Sequence, residues 1–173
     1  GIYTVLNHSF GRYGLTLKGA WVANTDYSNP LVKELLLKEV KDMVNQYKST
    51  PGLLMFLLGN ENNYGLFWRG AETENLPMAD RKSTKDAYHL YKLFNEAAVE
   101  IKSIDQSHPV SICNGDLLFL DILAKECKDV DVFGINTYRG ISFTDLYDRV
   151  KKEFGKPIML TEFGADAFNE LSN

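Results

Sequence analysis

The feature that most constrains the fold is an alternation of short apolar runs with longer amphipathic segments. Five runs are rich in Val, Ile, Leu and Phe, and they lie at Gly1–Leu6, Leu53–Leu58, Val110–Cys113, Val130–Ile135 and Pro157–Leu160. The second run is apolar throughout, as expected of a strand that is covered on both faces. Strands alternating with helices predict βαβ units and one parallel sheet. Right-handed crossovers then place the five strands side by side, with the helices outside.

The amphipathic segments predict the helices. Asn29 followed by Pro30 is a typical helix start, because Asn caps the free amide groups and Pro suits the first helical position. Three further helices are predicted from apolar spacing, at about 83–101, 117–125 and 143–154. The segment from Asn7 to Asn29 is rich in Gly, Asn and aromatic residues, and it is predicted to be a long loop.

The length limits this architecture to part of a barrel. The chain has 173 residues, whereas a complete eight-stranded α/β barrel needs about 250. We therefore expect residues 1–173 to form one incomplete (β/α) barrel domain with about five parallel strands, truncated at both ends. The sequence begins with Gly1 rather than Met, and no signal-peptide pattern follows. We therefore expect Gly1 to be an internal boundary: a processed end, a cloning boundary or a cut from a longer chain.

Composition argues against several classes of partner. Lys and Arg number 19 against 23 Asp and Glu, which gives a net charge of −4 without a basic cluster. Nucleic-acid binding needs clustered cations, so that function is not expected. No apolar stretch reaches the length of a membrane span. Two cysteines, Cys113 and Cys127, are too few for a disulfide scaffold, and they are interpreted as ordinary core or near-core thiols.

Polar residues follow each apolar run, and two of the runs are followed by a glutamate. Glu61 comes shortly after the second run, and Glu162 shortly after the fifth. Because the carboxyl ends of parallel strands meet at one edge of the sheet, both carboxylates should face one crevice. Such a pair is what glycosidic bond cleavage requires. It could also hold a divalent metal or form a structural network, and the spacing alone leaves all three interpretations open.

The local sequence around both glutamates resembles a known family. Leu58-Gly-Asn-Glu-Asn62, and Lys-Pro-Ile followed shortly by Thr161-Glu-Phe-Gly-Ala-Asp166, are similar to the catalytic barrel of retaining glycoside hydrolases. They most resemble glycoside hydrolase family 2, which contains β-galactosidases, β-glucuronidases and β-mannosidases. The resemblance covers almost the whole chain. It implies that the five runs correspond to barrel strands three to seven.

The resemblance implies roles for five residues. Glu61 would be the acid/base and Glu162 the nucleophile in the retaining hydrolysis of a β-glycoside, without a cofactor. Asn60 would hydrogen-bond the sugar 2-hydroxyl, Tyr138 would hydrogen-bond the nucleophile, and His8 would contact the sugar. Each also has a structural interpretation: a helix-end carboxylate, a turn residue, a tyrosine at the core edge or a loop histidine.

Two more residues belong to the same predicted edge. Asn136 ends the fourth run and could bind sugar hydroxyls, although Asn is also common in turns. Trp68 lies in the loop after Glu61 and could stack on a sugar face or anchor its own loop.

The resemblance is incomplete, and this affects the expected activity. Barrel strands one, two and eight have no counterpart, and neither do the arginine and the stacking aromatic that the family places on them. We therefore expect the isolated chain to be inactive or nearly so, and to self-associate through its two open sheet edges. Two alternatives remain: a carbohydrate-binding barrel without catalysis, and a metal-dependent enzyme with Glu61, Glu162 and either His8 or Asp116 as ligands.

Overall fold

The computed structural model describes residues 1–8, 10, 14–17, 20–23, 25–67 and 84–165. The described elements, in chain order, are β1 (Thr4–His8), β2 (Gly14–Leu17), β3 (Ala20–Ala23), α1 (Pro30–Tyr47), β4 (Leu53–Leu58), a 3-10 turn (Tyr64–Phe67), α2 (Thr84–Ile104), β5 (Val110–Gly115), α3 (Leu120–Glu126), β6 (Val132–Thr137), α4 (Leu146–Glu153) and β7 (Ile158–Phe163).

Five strands form one parallel sheet in the order β1-β4-β5-β6-β7. Each strand lies beside the next one of the sheet along the chain, and helices connect them. The sheet is curled, so that it makes a partial α/β barrel. This confirms the predicted fold class and strand order, and it brings the carboxyl ends of all five strands to one edge.

The main core lies between the sheet and the helices. Its largest fully buried side chains include Phe56 of β4, Tyr91 of α2 and Phe133 of β6. Burial is uneven across the sheet, since every position of β5 is buried and none of β7 is. Among the described helices, none combines the length and apolarity needed to cross a bilayer.

Several element bounds differ from the predicted ones for local reasons. α1 begins at Pro30 as predicted, with the Leu31 N–H donating to Asn29 Oδ1 at 2.9 Å. α3 begins only at Leu120, because Phe119 has a left-handed backbone (φ 61°) that a helix cannot include. Thr144 (φ 48°) likewise precedes the start of α4. The predicted loop contains an antiparallel pair, β2 and β3, which the sequence pattern did not reveal.

Candidate active site

The chain turns sharply after β4 and thereby positions Glu61. Gly59 is left-handed (φ 75°), and a Cβ there would lie 2.0 Å from Asn62 Oδ1, so only glycine fits. Glu61 is also left-handed (φ 52°), a conformation that non-glycine residues adopt mainly where the surroundings enforce it. Its N–H donates to the carbonyl of Cys113 at 2.9 Å, and the residue is only 4% exposed. The carboxylate is therefore buried at the edge of the sheet on a constrained turn.

Two buried asparagines after this carboxylate hold the turn in place. Asn62 Nδ2 donates to the carbonyl of Phe10 (3.2 Å) and to the hydroxyl of Tyr27 (3.3 Å). Asn63 exchanges two hydrogen bonds of 2.8 Å with the backbone of Gly115 on β5. Sequence reasoning missed both roles. The sequence offered one indication, the several Asn residues that surround Glu61, but residues in such loops are usually exposed rather than buried.

A register shift at the end of β7 positions Glu162. Ile135 pairs with Leu160, but the next residue, Asn136, pairs with Glu162, so Thr161 is an extra residue in the ladder. Glu162 therefore lies opposite Asn136. The hydroxyl of Tyr138, a residue 47% exposed, donates to Glu162 Oε2 at 2.7 Å.

The amide of Asn136, which is 1% exposed, joins three strands. Its Nδ2 donates to Glu61 Oε1 and to Asn60 Oδ1, both at 3.1 Å. Its Oδ1 accepts from the hydroxyl of Thr161 at 2.6 Å. The structure thus brings together three residues singled out from the sequence, and it adds Thr161, which sequence reasoning did not select.

Cys113 belongs to the hydrogen-bonded group around Asn136 rather than to the main core. Its Sγ is 3.1 Å from Asn136 Oδ1 and 3.3 Å from both Asn60 Oδ1 and Thr161 Oγ1. Burial raises the pKa of the thiol to about 11, and the charges of both glutamates act in the same direction. The thiol is therefore neutral at neutral pH and can donate a hydrogen bond. Cys113 is also close enough to both Glu61 and Glu162 for their charges to act on it.

A second polar cluster lies at the ends of β5 and β6. Asp116 accepts hydrogen bonds from Arg139 Nε (3.0 Å) and from the hydroxyl of Thr137 (2.8 Å). Arg139 also donates to the hydroxyl of Thr144 (2.9 Å), which ties down the following loop. Burial alone would raise the pKa of Asp116, but the hydrogen bonds and charge of Arg139, together with Thr137, lower it below its ordinary value. The guanidinium of Arg139 is therefore engaged within the protein.

His8 lies on a different face of the sheet from the hydrogen-bonded group around Asn136. Its Nε2 is 3.2 Å from Glu39 Oε2 of α1, and its ring meets Phe10 edge-on at 5.3 Å. Burial lowers the pKa of His8, against an opposing effect of Glu39. Leu6, two residues earlier, packs against the helix-side core, whereas Asn7 between them is exposed. The strand pleat therefore turns His8 toward the helices and Asn7 the other way.

Two other predictions concern Trp68 and a metal site. Trp68 lies outside the described residues. Among the residues that the structure does describe, no group of three or more His, Cys, Asp or Glu side chains could hold a metal ion. The described site instead has two carboxylates, one buried and one half-buried, beside neutral donors.

Comparisons with known proteins concern the fold. No protein-family model and no curated protein matches the sequence. Among solved structures, a GH2 β-galacturonidase from Eisenbergiella tayi bound to galacturonate matches 82% of this chain with a TM-score of 0.55 and 20% identity. A Bacteroides uniformis β-glucuronidase matches 86% with a TM-score of 0.61 and 16% identity. A β-galactosidase from Bacillus circulans sp. alkalophilus matches 82% with a TM-score of 0.54 and 16% identity.

These likenesses show that the chain has the fold of a part of such enzymes. The matched part is 23%, 18% and 30% of the three solved chains, respectively, so this chain spans less than a third of each. The fold is thus the one that the sequence resemblance implied.

Proposed function

We propose that this chain carries the catalytic carboxylates of a retaining β-glycosidase, with Glu61 as acid/base and Glu162 as nucleophile. One observation carries the proposal. The glutamate after β4 and the glutamate on β7 both lie beside Asn136: its amide bonds Glu61, and the residue pairs in the ladder with Glu162. The predicted barrel end, where ligands bind in this fold, is the same edge of the sheet.

The proposed reaction has two steps. Glu162 attacks the anomeric carbon and forms a glycosyl ester, while Glu61 gives its proton to the departing glycosidic oxygen. Glu61 then takes a proton from water as the water attacks the anomeric carbon, and the bond to Glu162 breaks. The retaining mechanism requires the two carboxyl groups to lie about 5–5.5 Å apart.

The contacts of the two carboxylates support this division of roles. Glu61 is buried and accepts a hydrogen bond from the Asn136 amide, so its carboxyl group is held in one place at the edge of the sheet. The hydroxyl of Tyr138 donates to Glu162 Oε2, which holds the proposed nucleophile in position. Asn60 is half-buried beside Glu61, where its amide can meet the sugar 2-hydroxyl. Contacts of the sugar with His8 and Trp68 stay predictions, and the proposal does not need them.

A solved structure with the same fold supports covalent chemistry as the mechanism to test. Bacteroides uniformis β-glucuronidase 2 is covalently bound to cyclophellitol-6-carboxylate aziridine in that structure, which matches 86% of this chain with a TM-score of 0.62 and 15% identity. The substrate proposed here is a β-glycoside.

We further propose that residues 1–173 form one catalytic unit whose turnover is very slow in isolation. β7, which carries the nucleophile, is not buried at any position, and β1 at the other side of the sheet is also open. Exposed edges of this kind favour self-association. Covalent labelling suits such a protein, because a label accumulates even when turnover is too slow to follow.

The experiment is intact mass measurement after incubation with a panel of 2-fluoro β-glycosides, followed by peptide mapping. We expect one sugar adduct per chain, on Glu162. Glu162→Gln should acquire no label, whereas Glu153→Gln, which changes a surface glutamate bonded to Arg149, should be labelled like the wild type. A label on another residue, or none on well-folded protein, contradicts the proposal. Sugar binding without any label would favour the carbohydrate-binding alternative.

A further inference from the structure

We propose that Thr161 and Cys113 are positioning residues that hold the Asn136 amide in one orientation, so that Asn60 presents its Nδ2 group to a substrate hydroxyl. This inference rests on the proposed function. It adds two residues, from β7 and β5, that do not touch the reacting atoms.

The Asn136 amide has all of its hydrogen-bonding capacity in use. An Asn side chain has two N–H donors and two acceptor positions on oxygen. The donors are taken by Glu61 Oε1 and Asn60 Oδ1, each at 3.1 Å. The acceptor positions are taken by Thr161 Oγ1 at 2.6 Å and Cys113 Sγ at 3.1 Å.

This pattern allows only one of the two amide orientations. Rotating the amide of Asn136 by half a turn would place its oxygen against Asn60 Oδ1 and the carboxylate of Glu61. It would also place its NH₂ group against the hydroxyl of Thr161 and the thiol of Cys113. The contact with Asn60 Oδ1 would set two amide oxygens against each other with no proton between them, and the second pair of contacts would lose two donors aimed at oxygen. The two donors therefore stabilise the orientation in which Asn136 bonds Glu61.

The orientation of the Asn136 amide also determines that of the Asn60 amide. Its Oδ1 faces Asn136 Nδ2 and Cys113 Sγ at 3.1 and 3.3 Å, so its Nδ2 lies on the other side of the amide. Within the part of the chain that the structure describes, this Nδ2 has no hydrogen-bond partner, and the residue is half-buried. It is thus a donor available to a hydroxyl oxygen of the substrate, next to the acid/base Glu61.

The register shift in β7 explains how Thr161 takes part. Thr161 is the extra residue between Leu160 and Glu162, and its hydroxyl bonds the amide of Asn136, the residue that pairs with Glu162 in the ladder. The strand that carries the nucleophile is thereby linked, through Asn136, to the Asn60 amide that is proposed to meet the sugar.

The first test follows side-chain amide hydrogen exchange by NMR in the ¹⁵N-labelled chain, with Asn136→Asp used to assign the Asn136 signal. We expect Thr161→Val to accelerate exchange of the Asn136 NH₂ group by about tenfold, since the loss of one hydrogen bond is of that order. Thr161→Ser should restore the wild-type rate. Thr137→Val is the matched control, because its hydroxyl bonds Asp116 instead, at 2.8 Å.

Cysteine variants give an independent version of this test. Cys113→Ala should accelerate the same exchange, whereas Cys127→Ala should not, because Cys127 donates to the Tyr91 carbonyl within the main core. Unchanged exchange in both Thr161→Val and Cys113→Ala overturns the proposal, and so does equal acceleration in the two control variants. If Thr161→Val does not fold, the cysteine pair decides.

A second test measures the consequence for the substrate. Covalent labelling is compared for two probes: an epoxide that keeps the hydroxyl next to the reacting carbon, and a 2-fluoro glycoside that lacks it. We expect Thr161→Val to slow labelling by the epoxide about tenfold and labelling by the fluoro sugar less than threefold. Equal slowing of both probes contradicts hydroxyl presentation. If the wild type acquires no label from either probe, the proposed function fails, while amide exchange still decides whether Thr161 and Cys113 hold Asn136.

Discussion

The two glutamates at the carboxyl ends of β4 and β7 have opposite surroundings. Glu61 follows a central strand, is almost fully buried and is held by Asn136 and by a backbone hydrogen bond to β5. Glu162 lies on a strand at the side of the sheet, is half-buried, and bonds an exposed tyrosine, Tyr138. The difference arises from their positions in the sheet, because a central strand has neighbours on both sides.

This contrast indicates which carboxylate suits which role. An acid must stay beside the glycosidic oxygen, and the hydrogen bonds to Asn136 and to the Cys113 carbonyl hold Glu61 in one position. A nucleophile must be ionised and reachable from the crevice. Three of the four predictions below test this contrast, beginning with the largest expected effect.

The largest effect should distinguish the two glutamates by leaving group. Glu61→Gln should slow release of a poor phenol leaving group about 10³-fold, because general acid catalysis contributes that much when the leaving oxygen needs a proton. Release of dinitrophenol, which needs little protonation, should slow less than about tenfold. Glu162→Gln should abolish both. The measurement is single-turnover release from aryl β-glycosides. Equal slowing of both leaving groups by Glu61→Gln would contradict its role as the acid.

The next effect concerns stability around the buried carboxylate. Asn136→Ala should lower the free energy of unfolding by about 2–4 kcal/mol, since it removes four contacts and leaves buried groups without their partners. Asn95→Ala is the control. It removes two contacts to Asp129 in a half-buried place, and it should cost about 1 kcal/mol. Urea denaturation measures both, and a smaller loss in Asn136→Ala would refute the importance of this amide.

The corresponding change at Glu162 should affect chemistry more than stability. Tyr138→Phe removes the hydroxyl that bonds Glu162, and we expect covalent labelling to slow about tenfold. The free energy of unfolding should change by less than about 0.5 kcal/mol, because the side chain is exposed. Tyr147→Phe, another exposed tyrosine, should change neither quantity. Unchanged labelling in Tyr138→Phe would remove this tyrosine from the site.

The smallest effect is a pH dependence outside the pair of glutamates. The pKa of Asp116 lies below its ordinary value in the folded protein, so Asp116 stabilises the fold above about pH 4 and this stabilisation is lost as pH falls below that value. Asp116→Asn should therefore be less stable than the wild type at pH 7, by about 1 kcal/mol or less. The difference should shrink at lower pH. Urea denaturation at several pH values measures this, with the exposed Asp148→Asn as control. A constant difference would contradict the prediction.

Much of the fold was predictable from local patterns. The five apolar runs correspond to the five strands of the sheet in the predicted order, and Pro30 begins α1. These features depend on composition and spacing within a few residues. The pair β2 and β3 was missed, since its strands are only four residues each within a segment rich in turn residues.

The candidate site was predictable only at the level of strand ends. Glu61, Glu162, Asn60 and Asn136 all lie where the polar ends of apolar runs indicated, and Tyr138 bonds Glu162. Thr161 and Cys113 were not recognised as members, because an ordinary Thr before a Glu and a Cys in an apolar run carry no local signal. Their contacts join residues far apart in the sequence.

The sequence by itself determined the alternation of strands and helices and the presence of a glutamate after two of the strands. Only the tertiary structure decided which side chains share a face. The side chains of a strand alternate between its two faces, so one extra residue reverses every later position. The pleat of β1 turns His8 toward α1 rather than Asn7, and the extra residue in β7 brings Glu162 opposite Asn136. Pairing between strands sets that alternation, and no single run of residues contains it.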